Sequence, residues 1–198
     1  RFMLTKGEQR LAREIKAVLR LLGLDVDDAA RFHDNNSPLS TLLLIKDQHI
    51  RGEIVMTYAL IDQLLNQIIW NYFFPRKSSR GPRYREFQLY VLEKIHVLQK
   101  LELVKKITKM PRHIYADIRN INHLRNAVAH SFSLTRKKKI ISIFGKNVLT
   151  LGGLKLFILR RKPIKDFLLK KARGFDLADA REFENYIKSR SVKNLLAR

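Results

Sequence analysis

The chain has 198 residues, enough for one medium domain or a domain with an appendage, and its 45% hydrophobic content argues against global disorder. Forty basic residues stand against 18 acidic ones, so the formal net charge of +22 favours a polyanionic partner such as RNA, DNA or an anionic membrane surface. The chain has no cysteine, which excludes a disulfide framework, a thiolate nucleophile and a thiolate metal site.

The first helix is predicted from a capping-box pattern. Thr5 is a suitable N-cap, Glu8 stands three residues later, and apolar residues follow at helical spacing. Gly23 is a fitting stop, so we place this helix at about 6–22. A short helix at 26–33 and a polar link follow.

A second and much longer helix is predicted at about 42–73. Apolar and aromatic side chains step by four and three residues from Ile54 to Tyr72, which is the spacing of one helix face. Ser40 is a suitable cap and Pro75 limits the helix, which would be about 45 Å long. Such a length suits the spine of a helical bundle.

Two further helices are predicted before residue 130. The segment 75–85 is a loop by its Pro, Gly and Ser content, and a third helix follows at about 84–100, with an extension through Ile107. Pro111 fits the first turn of a fourth helix, which ends near Ala129.

After residue 135 the hydrophobic period changes, and short β-strands joined by glycine-bearing turns are predicted. The strands are 136–144, 148–151 and 154–159. A basic stretch, 160–173, leads to a final helix capped by Asp176. The predicted fold class is therefore mainly α, a bundle of four to five helices with a small C-terminal β-hairpin element and a final helix.

Three regions follow from these elements. Residues 1–39 form an N-terminal helix and linker, residues 40–134 the core of the bundle, and residues 135–198 a basic β-hairpin with a C-terminal helix packed on the bundle. No signal-peptide pattern opens the chain, and charged residues and glycines interrupt its most apolar stretch. We therefore expect a cytoplasmic protein without a membrane partner.

The charge is unevenly distributed, because no Asp or Glu occurs from Ile118 to Lys165. This run predicts a basic surface for nucleic acid beside the fourth helix. A solvated hairpin with lysines on its edge is the alternative interpretation. The predicted nucleic-acid-binding residues are Arg80, Arg83, Arg85, Arg119, Arg136, Lys137, Lys138, Lys139, Arg160, Arg161 and Lys162.

The stretch I-N-H-L-R-N-A-V-A-H-S-F, residues 121–132, places a cation within an apolar stripe. On a helix Arg125 lies about 40° from Ile121. A guanidinium is expensive to desolvate there, so either a carboxylate meets it or the stripe opens onto a cleft that receives a phosphate. Glu53 and Asp62 on the second helix are the candidate supporting carboxylates.

The string L-R-N-A-V-A-H, which closes this apolar helix after a long helix with I-D-Q-L-L at its middle, resembles the HEPN family. That family's motif is an Arg, four to six residues and then a His, commonly with a polar residue directly after the Arg. Arg125, Asn126 and His130 match the motif with four residues between Arg and His. The resemblance covers about residues 42–132. It implies an HEPN-like bundle that dimerises and places two Arg/His pairs in a shared cleft.

Many members of that family are metal-independent endoribonucleases, often toxins or defence effectors. A ribonuclease without a metal needs a base for the 2′-OH proton and a cation for the phosphorane charge. The resemblance implies that His130 is the acid/base, Arg125 holds the phosphate and Asn126 orients a side chain or the substrate. No cofactor and no metal site are expected. The expected partners are RNA, a second copy of the chain, and an antitoxin or regulatory protein.

Two departures from the family and two alternatives stay open. Toxin members paired with a nucleotidyltransferase antitoxin often carry a Tyr two residues after the His, where this chain has Phe132, and the segment after residue 135 lies outside the minimal bundle. The sequence also resembles the mannitol-repressor branch of the same superfold, whose members are thought to regulate rather than cleave. Arg125 and His130 would then be structural or bind a ligand. The remaining alternative is a basic module that docks on ribosomal RNA or membrane lipid.

Overall fold

A computed structural model describes residues 5–24, 38–74, 86–130, 142–143 and 145–172. These residues are mainly helical, which confirms the predicted fold class for the part of the chain they cover. In chain order the elements are α1 Lys6–Leu21, α2 Pro38–Phe73, a π-helical turn Gln88–Leu92, α3 Val97–Thr108, α4 Arg112–His130, β1 Ser142–Ile143, β2 Lys146–Asn147 and α5 Leu151–Lys171. The predicted short helix at 26–33, the loop 75–85 and the final helix after Asp176 lie outside the described residues.

The first helix and its cap are confirmed. The Thr5 side chain accepts a hydrogen bond from the Glu8 backbone N–H at 3.3 Å, and the Thr5 backbone N–H donates to Glu8 Oε2 at 2.8 Å. Gly23 follows the helix with a φ of 75°, a left-handed conformation that favours glycine. The helix buries Ile15, Val18 and Leu19, and two of these pack against Leu42 of α2.

The cap of α1 predicts a dependence of stability on pH. The Thr5 backbone N–H, and then its hydroxyl, lower the pKa of Glu8 below 4.5. A lowered folded-state pKa contributes stability above the unfolded pKa, and that stability is lost as pH falls through the folded value. We therefore expect Glu8→Gln to lower the melting temperature near neutral pH and to lower it less and less as pH falls through the folded pKa of Glu8. A deficit that keeps the same size throughout an acid titration would contradict this assignment.

The long second helix is confirmed, with an earlier start than predicted. α2 has 36 residues, about 54 Å at 1.5 Å per residue, and begins at Pro38. Ser40 is therefore inside the helix and does not cap it. Proline suits the first helical position, because the N–H that it lacks has no partner there in any residue. The helix ends at Phe73, just before Pro75, as predicted.

Residue contacts divide the chain into two compact units, and α2, α4 and α5 each contribute to both. Unit 1 is Arg1–Val55 with Asn120–Lys162, and unit 2 is Met56–Arg119 with Pro163–Arg198. The largest fully buried side chains in the described part of unit 1 are Ile15, Leu19, Ile50, Ile54, Ile121, Ile143 and Phe157. Those in the described part of unit 2 are Leu64, Leu65, Ile69, Leu101 and Ile118.

The third predicted helix, 84–100, is wrong as one continuous element. A π-helical turn ends at Leu92, and α3 begins only at Val97. His96 between them has an extended backbone, and its N–H donates to Gln99 Oε1 at 3.1 Å, which starts a new helix. The extension of helical structure to Ile107 is confirmed, because α3 runs to Thr108. α4 then begins directly after Pro111, close to the predicted start.

The predicted strands at 148–151 and 154–159 are wrong, because α5 begins at Leu151. Of the strand structure, the described residues contain β1 and β2, which pair antiparallel with Ser142 opposite Asn147. The apolar run L-K-L-F-I-L belongs to α5, since Leu154 and Phe157 are both fully buried at helical spacing. A short apolar run alone does not distinguish a strand from a buried helix.

Local capping explains where α5 begins. Thr150 Oγ1 accepts a hydrogen bond from the backbone N–H of Gly153 at 3.2 Å, as an N-cap residue does. The backbone N–H of Leu151 donates to Glu14 Oε1 of α1 at 3.4 Å, which puts a carboxylate at the helix N-terminus. The Gly152–Gly153 pair is therefore the first turn of a helix and not the predicted hairpin turn.

Candidate functional site

The last three turns of α4 place Arg125 on the side of the helix that is buried. Ile121 and Val128, which flank Arg125 on the same stripe, are both buried, whereas Arg125 is partly exposed. Its Nη1 donates a hydrogen bond to Asn126 Oδ1 at 3.2 Å. A cation near a helix C-terminus also interacts favourably with the negative end of the helix dipole.

Asn126 therefore holds the guanidinium that precedes it in sequence. An Arg donates through five N–H groups in a planar fork, and the Asn126 amide oxygen accepts from one of them. His130 is the last residue of α4, and its side chain lies outside the described part of the structure. The predicted end of the fourth helix, near Ala129, agrees with this boundary.

Each predicted supporting carboxylate has a cation of its own. In unit 1, Glu53 accepts a hydrogen bond from Arg161 of α5 within an ion pair, and the Arg161 guanidinium also lies 5.8 Å from the centre of the Phe157 ring. In unit 2, Asp62 Oδ1 lies 2.6 Å from Nζ of Lys100. Neither the Arg161 partner nor the Lys100 partner was predicted from the sequence.

A partly buried imidazole stands one turn before Glu53 on the same side of α2. Burial lowers the pKa of His49, and the negative charge of Glu53 opposes that shift without cancelling it. His49 therefore stays neutral near pH 7, with one ring nitrogen as donor and the other as acceptor. No role for this histidine was predicted from the sequence, because helical spacing does not show whether a residue at the side of the apolar face is buried.

A second guanidinium, that of Arg51 in α2, contacts the last turn of α4. Arg51 Nη1 donates to the backbone carbonyl oxygen of Val128 at 3.5 Å, across 77 positions of sequence. Arg51 was not predicted from the sequence. The available signal was its place directly after Ile50, which precedes Ile54 by four residues and so extends the apolar face of α2.

The predicted nucleic-acid-binding residues fall into described and undescribed groups. Arg160 and Lys162 are exposed on α5, where the intervening Arg161 is paired with Glu53. Arg119 is exposed in unit 2, and its guanidinium lies 5.8 Å from the centre of the Tyr115 ring. The predicted residues outside the described part of the chain are Arg80, Arg83, Arg85, Arg136, Lys137, Lys138 and Lys139.

Two further properties of the described residues concern metal ions and membranes. No group of three or more His, Asp or Glu side chains in this part of the chain is placed to bind a metal ion. No helix among these residues combines the length and the apolar character that crossing a membrane requires.

The described residues thus define a mainly helical bundle in which α4 carries an Arg–Asn pair in its last two turns and a second arginine, from α2, binds its C-terminal end. No protein-family model, curated protein or solved structure matches this chain. The relation to the HEPN family stays a prediction from the sequence motif.

Proposed function

We propose that this protein is a metal-independent endoribonuclease of HEPN type that acts on RNA as a homodimer, in the manner of a toxin or defence effector. The observation that carries the proposal is the Arg125–Asn126 hydrogen bond in the last turns of α4, five residues before the His130 that closes the helix. Arg125 is partly exposed, and a guanidinium can bind a phosphate through two parallel hydrogen bonds.

The proposed reaction is an internal transesterification of RNA. His130 removes the proton of a ribose 2′-OH, and the 2′-oxygen bonds to the adjacent phosphorus while the bond to the 5′-oxygen breaks. Arg125 stabilises the negative charge of the phosphorane, and the leaving 5′-oxygen receives a proton from the second His130 of the dimer or from water. The products are a 2′,3′-cyclic phosphate and a 5′-hydroxyl, and none of the proposed steps uses a metal or a cofactor.

Charge supports RNA as the substrate. The net charge of +22 exceeds what a packed domain of this size needs for solubility. Arg160 and Lys162 are both exposed on α5. Each phosphate contact that releases a counterion from a single strand contributes about −0.7 to the slope of log affinity against log salt. Binding of RNA by several such side chains is therefore expected to weaken steeply as salt is raised.

The proposal is tested by cleavage of total RNA in EDTA. We expect Arg125→Ala and His130→Ala each to reduce cleavage by about 10²- to 10⁴-fold, because each removes a group that acts in the transition state. Matched controls on the same helix are Arg112→Ala and His123→Ala, both at exposed positions, which are expected to cleave as wild type does. Product ends are identified by treatment with a phosphatase that opens cyclic phosphates, and sedimentation reports the oligomeric state.

The non-catalytic alternative gives a different result in the same assay. Well-folded wild-type protein that leaves tRNA, rRNA and mRNA intact, yet binds them with steep salt dependence, would overturn the ribonuclease proposal. That result would favour a mannitol-repressor-like regulatory protein that binds nucleic acid, with Arg125 in a structural role. Cleavage that persists in both alanine variants would instead show that the residues of α4 do not form the active site.

A further inference from the structure

We propose that Arg51 is a positioning residue that fixes the last turn of α4 and, through it, the last two turns that carry Arg125, Asn126 and His130. The inference rests on the proposed ribonuclease, since it gives Arg51 a part in that site. Arg51 is placed 74 to 79 positions earlier in the chain than these three residues, and the sequence motif does not include it.

The contact that supports this role is at the open end of a helix. The last four carbonyl groups of an α-helix have no partner within the helix, and Val128 is among the last four residues of α4. Arg51 Nη1 donates to that carbonyl oxygen at 3.5 Å. The guanidinium also carries a positive charge to the negative end of the α4 dipole. Arg51 therefore caps α4 from a different helix.

The α2 backbone around Arg51 is itself firmly held. Ile50 and Ile54 are fully buried on the apolar face of α2, and the Nε atom of Arg51 is inaccessible to solvent. On the opposite flank Glu53 binds Arg161, which joins α2 to α5. The end of α4 is thus tied to a part of α2 that is anchored on both sides, all within unit 1.

Fixing this turn matters for the proposed chemistry. Arg125 and His130 must stand at defined positions around one phosphate, and a displacement of about 1 Å reduces turnover by as much as about 10²-fold. Val128 lies between these two residues in sequence, so its carbonyl anchors the backbone that carries both. Arg51 consequently governs turnover through α4, without contacting RNA.

The test compares Arg51→Met, Arg51→Lys and Arg13→Met in the full chain. Arg51→Met keeps the aliphatic stem and removes every donor, Arg51→Lys keeps the charge and part of the donor capacity, and Arg13→Met removes one exposed charge from α1 of the same unit. Two quantities are measured: hydrogen exchange of the α4 amides, and kcat and KM for a single-stranded RNA.

We expect Arg51→Met to accelerate exchange by about tenfold in the last turn of α4 and to leave the exchange of α1 unchanged. Its kcat is expected to fall by about 10- to 100-fold while KM changes by less than about threefold. Arg51→Lys should show a smaller acceleration of exchange and a smaller fall in kcat than Arg51→Met. Arg13→Met should match wild type in both measurements.

Other results overturn the inference in distinguishable ways. Exchange in Arg51→Met that equals exchange in Arg13→Met shows that Arg51 does not fix the turn. Acceleration throughout unit 1 shows a general structural role. A raised KM with unchanged kcat shows that Arg51 binds RNA directly. Absence of cleavage by wild type overturns the ribonuclease and the catalytic part of this inference, while the exchange data still decide whether Arg51 caps α4.

Discussion

Asp62→Ala is expected to destabilise unit 2 by about 2–4 kcal/mol, because it leaves the Lys100 ammonium buried without its counter-ion. Lys100 is 3% exposed, and its Nζ lies 2.6 Å from Asp62 Oδ1. Removing one partner of a fully buried pair costs about 3–5 kcal/mol. The Asp62 side chain is 32% exposed, so water entering the vacated space offsets part of the loss. Urea denaturation of the variant and the wild type measures the difference.

The matched variant at the other partner has a different expected result. Lys100→Met removes the buried charge and fills a similar volume, and the carboxylate of Asp62 that remains is accessible to water. We expect this variant to lose less than about 1.5 kcal/mol. Adding Lys100→Met to the Asp62→Ala variant should restore most of the stability that the single Asp62→Ala change loses. Equal losses in the two single variants would instead assign the effect to attraction within the pair.

The parts of the fold that the sequence predicts depend on local signals. The Thr5–Glu8 capping box lies within four residues, and the stop of α1 at Gly23 needs only one residue with a positive φ. Pro111 likewise marks the start of α4 without any tertiary contact. The place of Arg125 within a buried stripe also follows from helical spacing, which is why the candidate site was predictable as a position on one helix.

The parts that sequence analysis could not predict are contacts between distant residues. Arg51 meets Val128 across 77 positions, and Arg161 meets Glu53 across 108. Helical periodicity assigns a side chain to a face, but it does not say which helix packs against that face. The partners of Glu53 and Asp62, and the role of Arg51, therefore depend on tertiary packing alone.

The wrong prediction of a strand at 154–159, which lies in α5, has the same cause. Residues 154–159 are apolar enough for a buried strand, and only packing decides between strand and helix. The deciding features are the Thr150 cap and the Glu14 carboxylate at the helix start, and Glu14 lies 137 positions from its partner Leu151. Two adjacent glycines favoured a turn on sequence grounds, whereas one of them is needed here for close packing.

Gly153→Ala is expected to destabilise unit 1 by about 2–3 kcal/mol, within the range for overpacking a buried position. A Cβ atom at Gly153 would lie 1.9 Å from the carbonyl oxygen of Asn147 and 2.9 Å from the Cα of Val148. Both are backbone atoms, and they belong to the turn that leads from β2 into α5. That turn resists displacement, because Thr150 donates to the Asn147 carbonyl through its backbone N–H at 3.2 Å and its hydroxyl at 2.7 Å.

Gly152→Ala is the matched control one residue earlier in the same helical turn. Nothing lies within 4 Å of a Cβ built at Gly152, so the added methyl group meets open space. Alanine has the higher helix propensity, and we expect this variant to gain about 0.5–1 kcal/mol. Urea denaturation of both variants therefore separates close packing from helix propensity, since the propensity gain is common to both. Stabilisation by both substitutions would show that the β2–α5 turn yields to a methyl group, and α5 would then not need glycine at position 153.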